Sequence, residues 1–123
     1  MAKIMVVDDE PNICEAVKFV LEDEGFEVIT AFNAEECINK LKKEPVDLVL
    51  IDFFMPKISG RKLCEKIRKD PELENLKLAF LTVARFSELG LGELEKLKVL
   101  DYIQKPFDNE DLVKRVKKML NLK

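Results

Sequence analysis

The chain has no histidine and no tryptophan, a single tyrosine, and few Gln, Ser or Thr among its 123 residues. Without histidine there is no Ser-His or Cys-His pair to activate a nucleophile. The three cysteines, Cys14, Cys37 and Cys64, are widely spaced and odd in number. With no CxxC pair and no histidine, neither a zinc site nor a disulfide framework is expected, and the cysteines read as small buried hydrophobes. Long apolar runs are missing too. None approaches a membrane span, and Met1-Ala2-Lys3 leads straight into a short strand rather than a signal sequence. No charge sign dominates, with 21 basic residues against 24 acidic and a formal net charge of -3. That balance gives no electrostatic reason to expect direct nucleic-acid binding or an anionic membrane as partner. The expectation is a cytoplasmic, soluble chain forming one domain over residues 1–123.

What is present is a hydrophobic content of 47%, arranged as apolar runs alternating with helical patterns. Lys3 to Val7 reads as a buried strand ending in Asp8-Asp9. Pro11 suits a first helical turn, Ile13, Ala16, Val17, Val20 and Leu21 share one helical face, and Gly25 stands where a C′ glycine would. Phe26 to Thr30 alternates like an edge strand. Asn33, with Glu36 three residues on, opens a second helix. Leu48 to Asp52 is a third strand, and Ser59 caps a third helix. Leu78 to Thr82 is a fourth strand. A fourth helix is predicted over 85–98, although Gly90 and Gly92 lie inside it and each costs about 1 kcal/mol against alanine. Val99 to Gln104 follows as a fifth strand, and Asp108 caps a fifth helix carrying Leu112, Val113, Val116, Met119 and Leu120. Strands joined through helices run parallel. The fold class is therefore α/β, a doubly wound five-stranded parallel sheet with five helices on its two faces.

The stretch Asp47 to Gly60, DLVLIDFFMPKISG, organises the rest. Its apolar run ends in one carboxylate, Asp52. Pro56 cannot donate a ladder hydrogen bond and Gly60 relaxes the backbone, so a loop begins there. By itself Asp52 is equally a loop cap or a ligand-binding acid at the carboxyl end of a parallel strand. The same sheet edge also collects Asp8 and Asp9, Thr82, and Lys105 just past the fifth strand. Three converging carboxylates repel, which raises pKa values or demands a cation. Hard oxygen ligands with room for water suit Mg²⁺ best. An aspartate can carry a phosphoryl group, and phosphoryl transfer needs charge neutralisation and alignment more than acid-base chemistry. A divalent metal and a lysine supply the neutralisation, and a hydroxyl such as Thr82 can hydrogen-bond a phosphoryl oxygen.

Four pieces now stand in order: VVDDEP at 6–11, LIDFFMPKISG at 50–60, LT at 81–82 and YIQKPF at 102–107. With them the chain resembles the receiver domain of two-component response regulators (CheY-like), over essentially its whole length. The resemblance implies the flavodoxin-like strand order 2-1-3-4-5. It implies that Asp52 is the phosphoacceptor, and that Asp9, Asp52 and the backbone carbonyl of Phe54 hold Mg²⁺ while Asp8 acts largely through water. Lys105 would pair with the phosphoryl group, Thr82 and Tyr102 would be coupled switch residues, and the Lys105-Pro106 bond would be cis. The implied function is to accept a phosphoryl group from a sensor histidine kinase or phosphotransfer protein. The surface around the predicted fourth helix, fifth strand and fifth helix would then switch an output partner or domain, with a phosphorylation-dependent homodimer as a further option. Such a chain is a switch rather than an enzyme, catalysing only its own phosphorylation and slow dephosphorylation.

The sequence departs from the family pattern at three places. Val83 follows the switch hydroxyl where a small residue is usual, which crowds the phosphoryl site. Phe54 and Ala84, each second after a site residue, cannot orient an attacking water, which predicts slow self-dephosphorylation. Lys98 to Asp101 replaces a common Gly-Ala turn. Among rivals, a flavodoxin-like electron carrier would need a glycine- and hydroxyl-rich loop where Asp8-Asp9-Glu10-Pro11 would repel phosphate. An aspartyl phosphohydrolase would need an acid-x-acid pair where the chain has Asp52-Phe53-Phe54. An inert scaffold would not need all the chemical positions filled.

Overall fold

Five strands form one sheet: β1 (Lys3–Val7), β2 (Glu27–Ala31), β3 (Leu48–Asp52), β4 (Lys77–Thr82) and β5 (Tyr102–Gln104). All pairs are parallel, in the order β2-β1-β3-β4-β5. The computed structural model describes residues 2–83 and 95–122. Among them lie four helices: α1 (Pro11–Asp23), α2 (Ala34–Lys43), α3 (Gly60–Lys69) and α4 (Asn109–Met119). The last corresponds to the fifth helix of the sequence reading. Most of the helix predicted over 85–98, with Gly90 and Gly92, falls outside the described residues.

Strand alternation sends side chains to two cores. Met5, Val7, Val49, Ile51 and Phe80 pack with Cys37, Leu41, Leu63 and Ile67 of α2 and α3. Ile4, Val6, Leu48, Leu50 and Leu81 pack with Val17, Leu21, Leu112 and Val116 of α1 and α4. Both faces of the central strands are therefore dry, which is why they read as continuous apolar runs. All three cysteines are free and buried.

Helix ends follow local chemistry. Gly25 adopts φ 95, and the N–H groups of Gly25 and Phe26 close back onto the carbonyls of Glu22 and Leu21, a Schellman ending of α1. Asn33 Oδ1 accepts from the N–H of Glu36, whose own carboxylate accepts from the N–H of Phe32. Ser59 and Asp108 cap α3 and α4 through the N–H groups of Lys62 and Asp111. Each such cap contributes about 1 kcal/mol.

Three strand limits differ from the sequence reading. β4 begins one residue earlier, at Lys77. β2 is shifted by one residue, because Phe26 belongs to the helix ending. β5 is three residues long rather than starting at Val99. Lys98 sits at φ 55, so the chain is still turning there, and Leu100 emerges exposed.

Candidate functional site

Strand register assembles the site. Val7 of β1 lies beside Ile51 of β3, so the next residues, Asp8 and Asp52, emerge side by side at the carboxyl edge. Asp8 is fully buried and Asp52 is 4% exposed, whereas Asp9 is exposed. One carboxylate oxygen from each of the three lies within 4.8 Å of the others. Lys105 reaches over from the far side of the sheet. Its Nζ donates to Asp8 Oδ2 at 2.7 Å and stands 3.4 Å from Asp52 Oδ1. The backbone of Lys105 is fixed by its N–H, which donates to the carbonyl of Thr82, and the Lys105-Pro106 bond is cis.

Two backbone N–H groups add to these contacts. Asp8 Oδ1 accepts from the N–H of Glu10 at 3.0 Å. Asp52 Oδ1 accepts from the N–H of Phe54 at 3.3 Å. The loop beyond Asp52 is locked by Gly60, whose N–H donates to the carbonyl of Phe53. A Cβ at Gly60 would lie 2.2 Å from the carbonyl oxygen of Asp52. Gly60 opens α3 without a left-handed φ, so its value is space rather than the backbone freedom inferred from sequence. That close approach had no signal beyond the glycine itself.

The electrostatics follow from crowding. Burial, followed by the charge of Asp8, pushes the Asp52 carboxyl up to about 6, against the opposing pull of Lys105 and the Phe54 N–H. Burial alone would depress Lys105. The Asp8 hydrogen bond and the charges of Asp52 and Asp8 outweigh it and hold the ammonium above its ordinary range. Three clustered carboxylates served, among the described residues, by the Lys105 ammonium are what a divalent cation would relieve. The donors are all hard oxygens, so the set fits Mg²⁺. Asp8 has both oxygens already accepting protein hydrogen bonds, which leaves Asp9 and Asp52 as the readier direct ligands.

The other residues singled out from sequence are placed as follows. Thr82 ends β4, buried, opposite Gln104 in β5. Tyr102 opens β5, half-buried, its ring 6.1 Å from that of Phe80. Phe54 and Val83 present exposed side chains, 55% and 64% accessible. Ala84 lies outside the described residues. Thus the three acids and Lys105 come together as a set, Thr82 adjoins them through the Lys105 backbone, and Tyr102 belongs to the core layer beside them. The sequence reading missed Arg68. Its guanidinium, from the end of α3, donates to the carbonyls of Glu74, Leu76, Leu97 and Lys98 and so ties the turn before β5 to α3. Backbone acceptors leave no pattern in a sequence.

Comparison with known proteins identifies the family and the fold. The family model for the response regulator receiver domain matches residues 4–117. The phosphate regulon transcriptional regulatory protein PhoB of Rhizobium meliloti is 38% identical over 125 residues, covering 98% of this chain and 52% of that protein. The chain thus spans about half the length of that curated relative. Among solved structures, the chemotaxis protein CheY4 of Vibrio cholerae superposes with a TM-score of 0.90 at 28% identity, covering 97% of this chain and 98% of that one. The response regulator TrrA of Thermotoga maritima, solved in complex with Mg²⁺-BeF, does so with a TM-score of 0.83 at 38% identity, covering 97% and 99%.

Proposed function

The chain belongs to the response regulator receiver domain family of two-component systems, and from that premise we propose that it is a phosphoacceptor switch with Asp52 as the acceptor. The observation that carries this reading is the convergence of Asp8, Asp9 and Asp52 with Lys105 at one edge of a parallel sheet. An ionised Asp52 oxygen attacks the phosphorus of a phosphohistidine donor. The new O–P bond forms as the donor's P–N bond breaks, and the departing imidazole takes up a proton. Asp9, Asp52 and the Phe54 carbonyl would hold Mg²⁺, with Asp8 acting largely through water. When bound, that cation supplies the neutralising charge that three crowded carboxylates and an incoming phosphoryl group require. Lys105 already stands against Asp52 and is positioned to pair with the phosphoryl oxygens once they arrive.

Residues 1–123 serve as one receiver domain in this reading. Thr82, buried at the end of β4, supplies a hydroxyl to the phosphoryl group, and its movement changes the space open to the Tyr102 ring. The surface that responds comprises β5, α4 and the segment predicted as a helix over 85–98. Its target is an output domain or a separate partner, and the upstream donor is a sensor histidine kinase or phosphotransfer protein. Phe54 offers no polar atom to orient water, so phospho-Asp52 is long-lived. The chain acts on itself alone and turns over no separate substrate. Incubation with Mg²⁺ and acetyl phosphate tests the reading. The expected result is a mass gain of one phosphoryl group on the wild type and none on Asp52→Asn, and an equal gain on both would overturn it.

A further inference from the structure

Four aromatic rings run in contact from the rim of the acidic cluster into the core. The rings of Phe54 and Phe53 meet edge to face with centroids 4.9 Å apart. Phe53 meets Phe80 in the same way at 5.2 Å. Phe80 lies 6.1 Å from the ring of Tyr102, tilted by 35°. The first ring is exposed, Phe53 and Tyr102 are half-buried, and Phe80 is buried. The file is tethered to the site at its outer end, because the N–H of Phe54 donates to Asp52 Oδ1. At its inner end Tyr102 opens the short strand that leads into Lys105.

We propose that this file of rings makes Tyr102 a sensor of divalent-cation occupancy at the acidic cluster, ahead of any phosphoryl transfer. The inference rests on the metal reading of Asp9, Asp52 and the Phe54 carbonyl given above. A cation there draws on the carboxylate that now accepts the Phe54 N–H, and it also draws on the carbonyl of the same residue. The backbone at Phe54 adjusts, and its ring moves with it. Phe53 is less free, since its N–H donates to the carbonyl of Leu81 and its own carbonyl accepts from the N–H of Gly60. A shift at Phe54 therefore reaches Phe53 through the ring contact. Phe80 is enclosed in an interior too densely packed to absorb a displacement. It passes the change to Tyr102, the half-buried ring at the other end of the file, on the edge strand. This route needs no phosphoryl group and so differs from the coupling through Thr82.

The chain has one tyrosine and no tryptophan, so its tyrosine emission reports Tyr102 alone. The test is titration of the full chain with Mg²⁺, followed in parallel by tyrosine emission and by calorimetry, for the wild type, Phe53→Leu and Phe80→Leu. The first variant alters a half-buried ring and leaves the buried core side chains in place. Wild-type emission is expected to change along the same saturation curve as the heat of binding. Both leucine variants are expected to bind Mg²⁺ with an emission change several-fold smaller. Saturable wild-type binding without an emission change, or a leucine variant that responds as fully as the wild type, would overturn the inference. Absence of any Mg²⁺ binding by the wild type would instead remove the metal reading, and this inference with it.

Discussion

Removing the charge of Asp52 should make the metal-free protein more stable. The Asp52 carboxyl is held at about 6 against an ordinary 3.8, so its charged form is disfavoured in the fold by about 2 pH units. At about 1.4 kcal/mol per unit the penalty is about 3 kcal/mol, an upper value. Water at the sheet edge screens part of it, and the Lys105 contact is lost on substitution, which leaves an expected gain of about 1–2 kcal/mol for Asp52→Asn at pH 7. The folded state binds this proton more tightly than the unfolded state. The wild type therefore loses stability as pH rises from about 4 to about 6, and the penalty is fully present above that window. Below about pH 4 both states are protonated and the advantage of asparagine disappears. Urea unfolding in a chelator at pH 7 and pH 4 reads both terms, and the midpoint of thermal unfolding at pH 7 should rise by several degrees. An Asp52→Asn protein no more stable than the wild type at pH 7, or equally favoured at pH 4, would refute the reasoning. Mg²⁺ should stabilise the wild type and have far less effect on Asp52→Asn, because a ligand stabilises only the state that binds it.

Three further outcomes follow from contacts around the same residue. Gly60→Ala forces a methyl group against the Asp52 carbonyl oxygen, so it should cost about 2–3 kcal/mol in urea unfolding and weaken Mg²⁺ binding measured by calorimetry. Lys105→Met leaves Asp8 buried without its cation and should cost about 3–5 kcal/mol at pH 7, and an unchanged unfolding midpoint would contradict the buried pairing. Phe54→Gln places a polar group where it can orient water, so the phospho-Asp52 lifetime should shorten by tenfold or more, on the order expected of general catalysis of water attack. A wild-type lifetime of seconds would show that Phe54 does not protect the acyl phosphate.

The elements that were legible in the sequence were those with local chemical causes. Asn33, Ser59 and Asp108 cap helices through side-chain oxygens and Gly25 closes one through its backbone, and each leaves a mark within a few residues. Dry strands leave apolar runs, so the sheet and the acids at its edge could be read together. The limits of β5 could not. Val99 and Leu100 are apolar, but the turn at Lys98 sends one toward the core and the other outward, and this depends on where Arg68 holds the preceding carbonyls. Within the site, the sequence supplied Lys105 as a partner for a phosphoryl group. The structure adds that the ammonium is bonded first to Asp8, at 2.7 Å, and only loosely to Asp52. That distinction is set by register between β1 and β3 and by the backbone bond from Lys105 to Thr82, neither of which has a signature in residue type.

The central claim is that Asp52, and neither of the acids beside it, receives the phosphoryl group. Reduction with borohydride after incubation with acetyl phosphate and Mg²⁺ converts an aspartyl phosphate into homoserine, which peptide mass spectrometry can assign to a single residue. The account predicts homoserine at position 52 alone. Homoserine at Asp8 or Asp9, or its absence from a protein that has gained the phosphoryl mass, would contradict it.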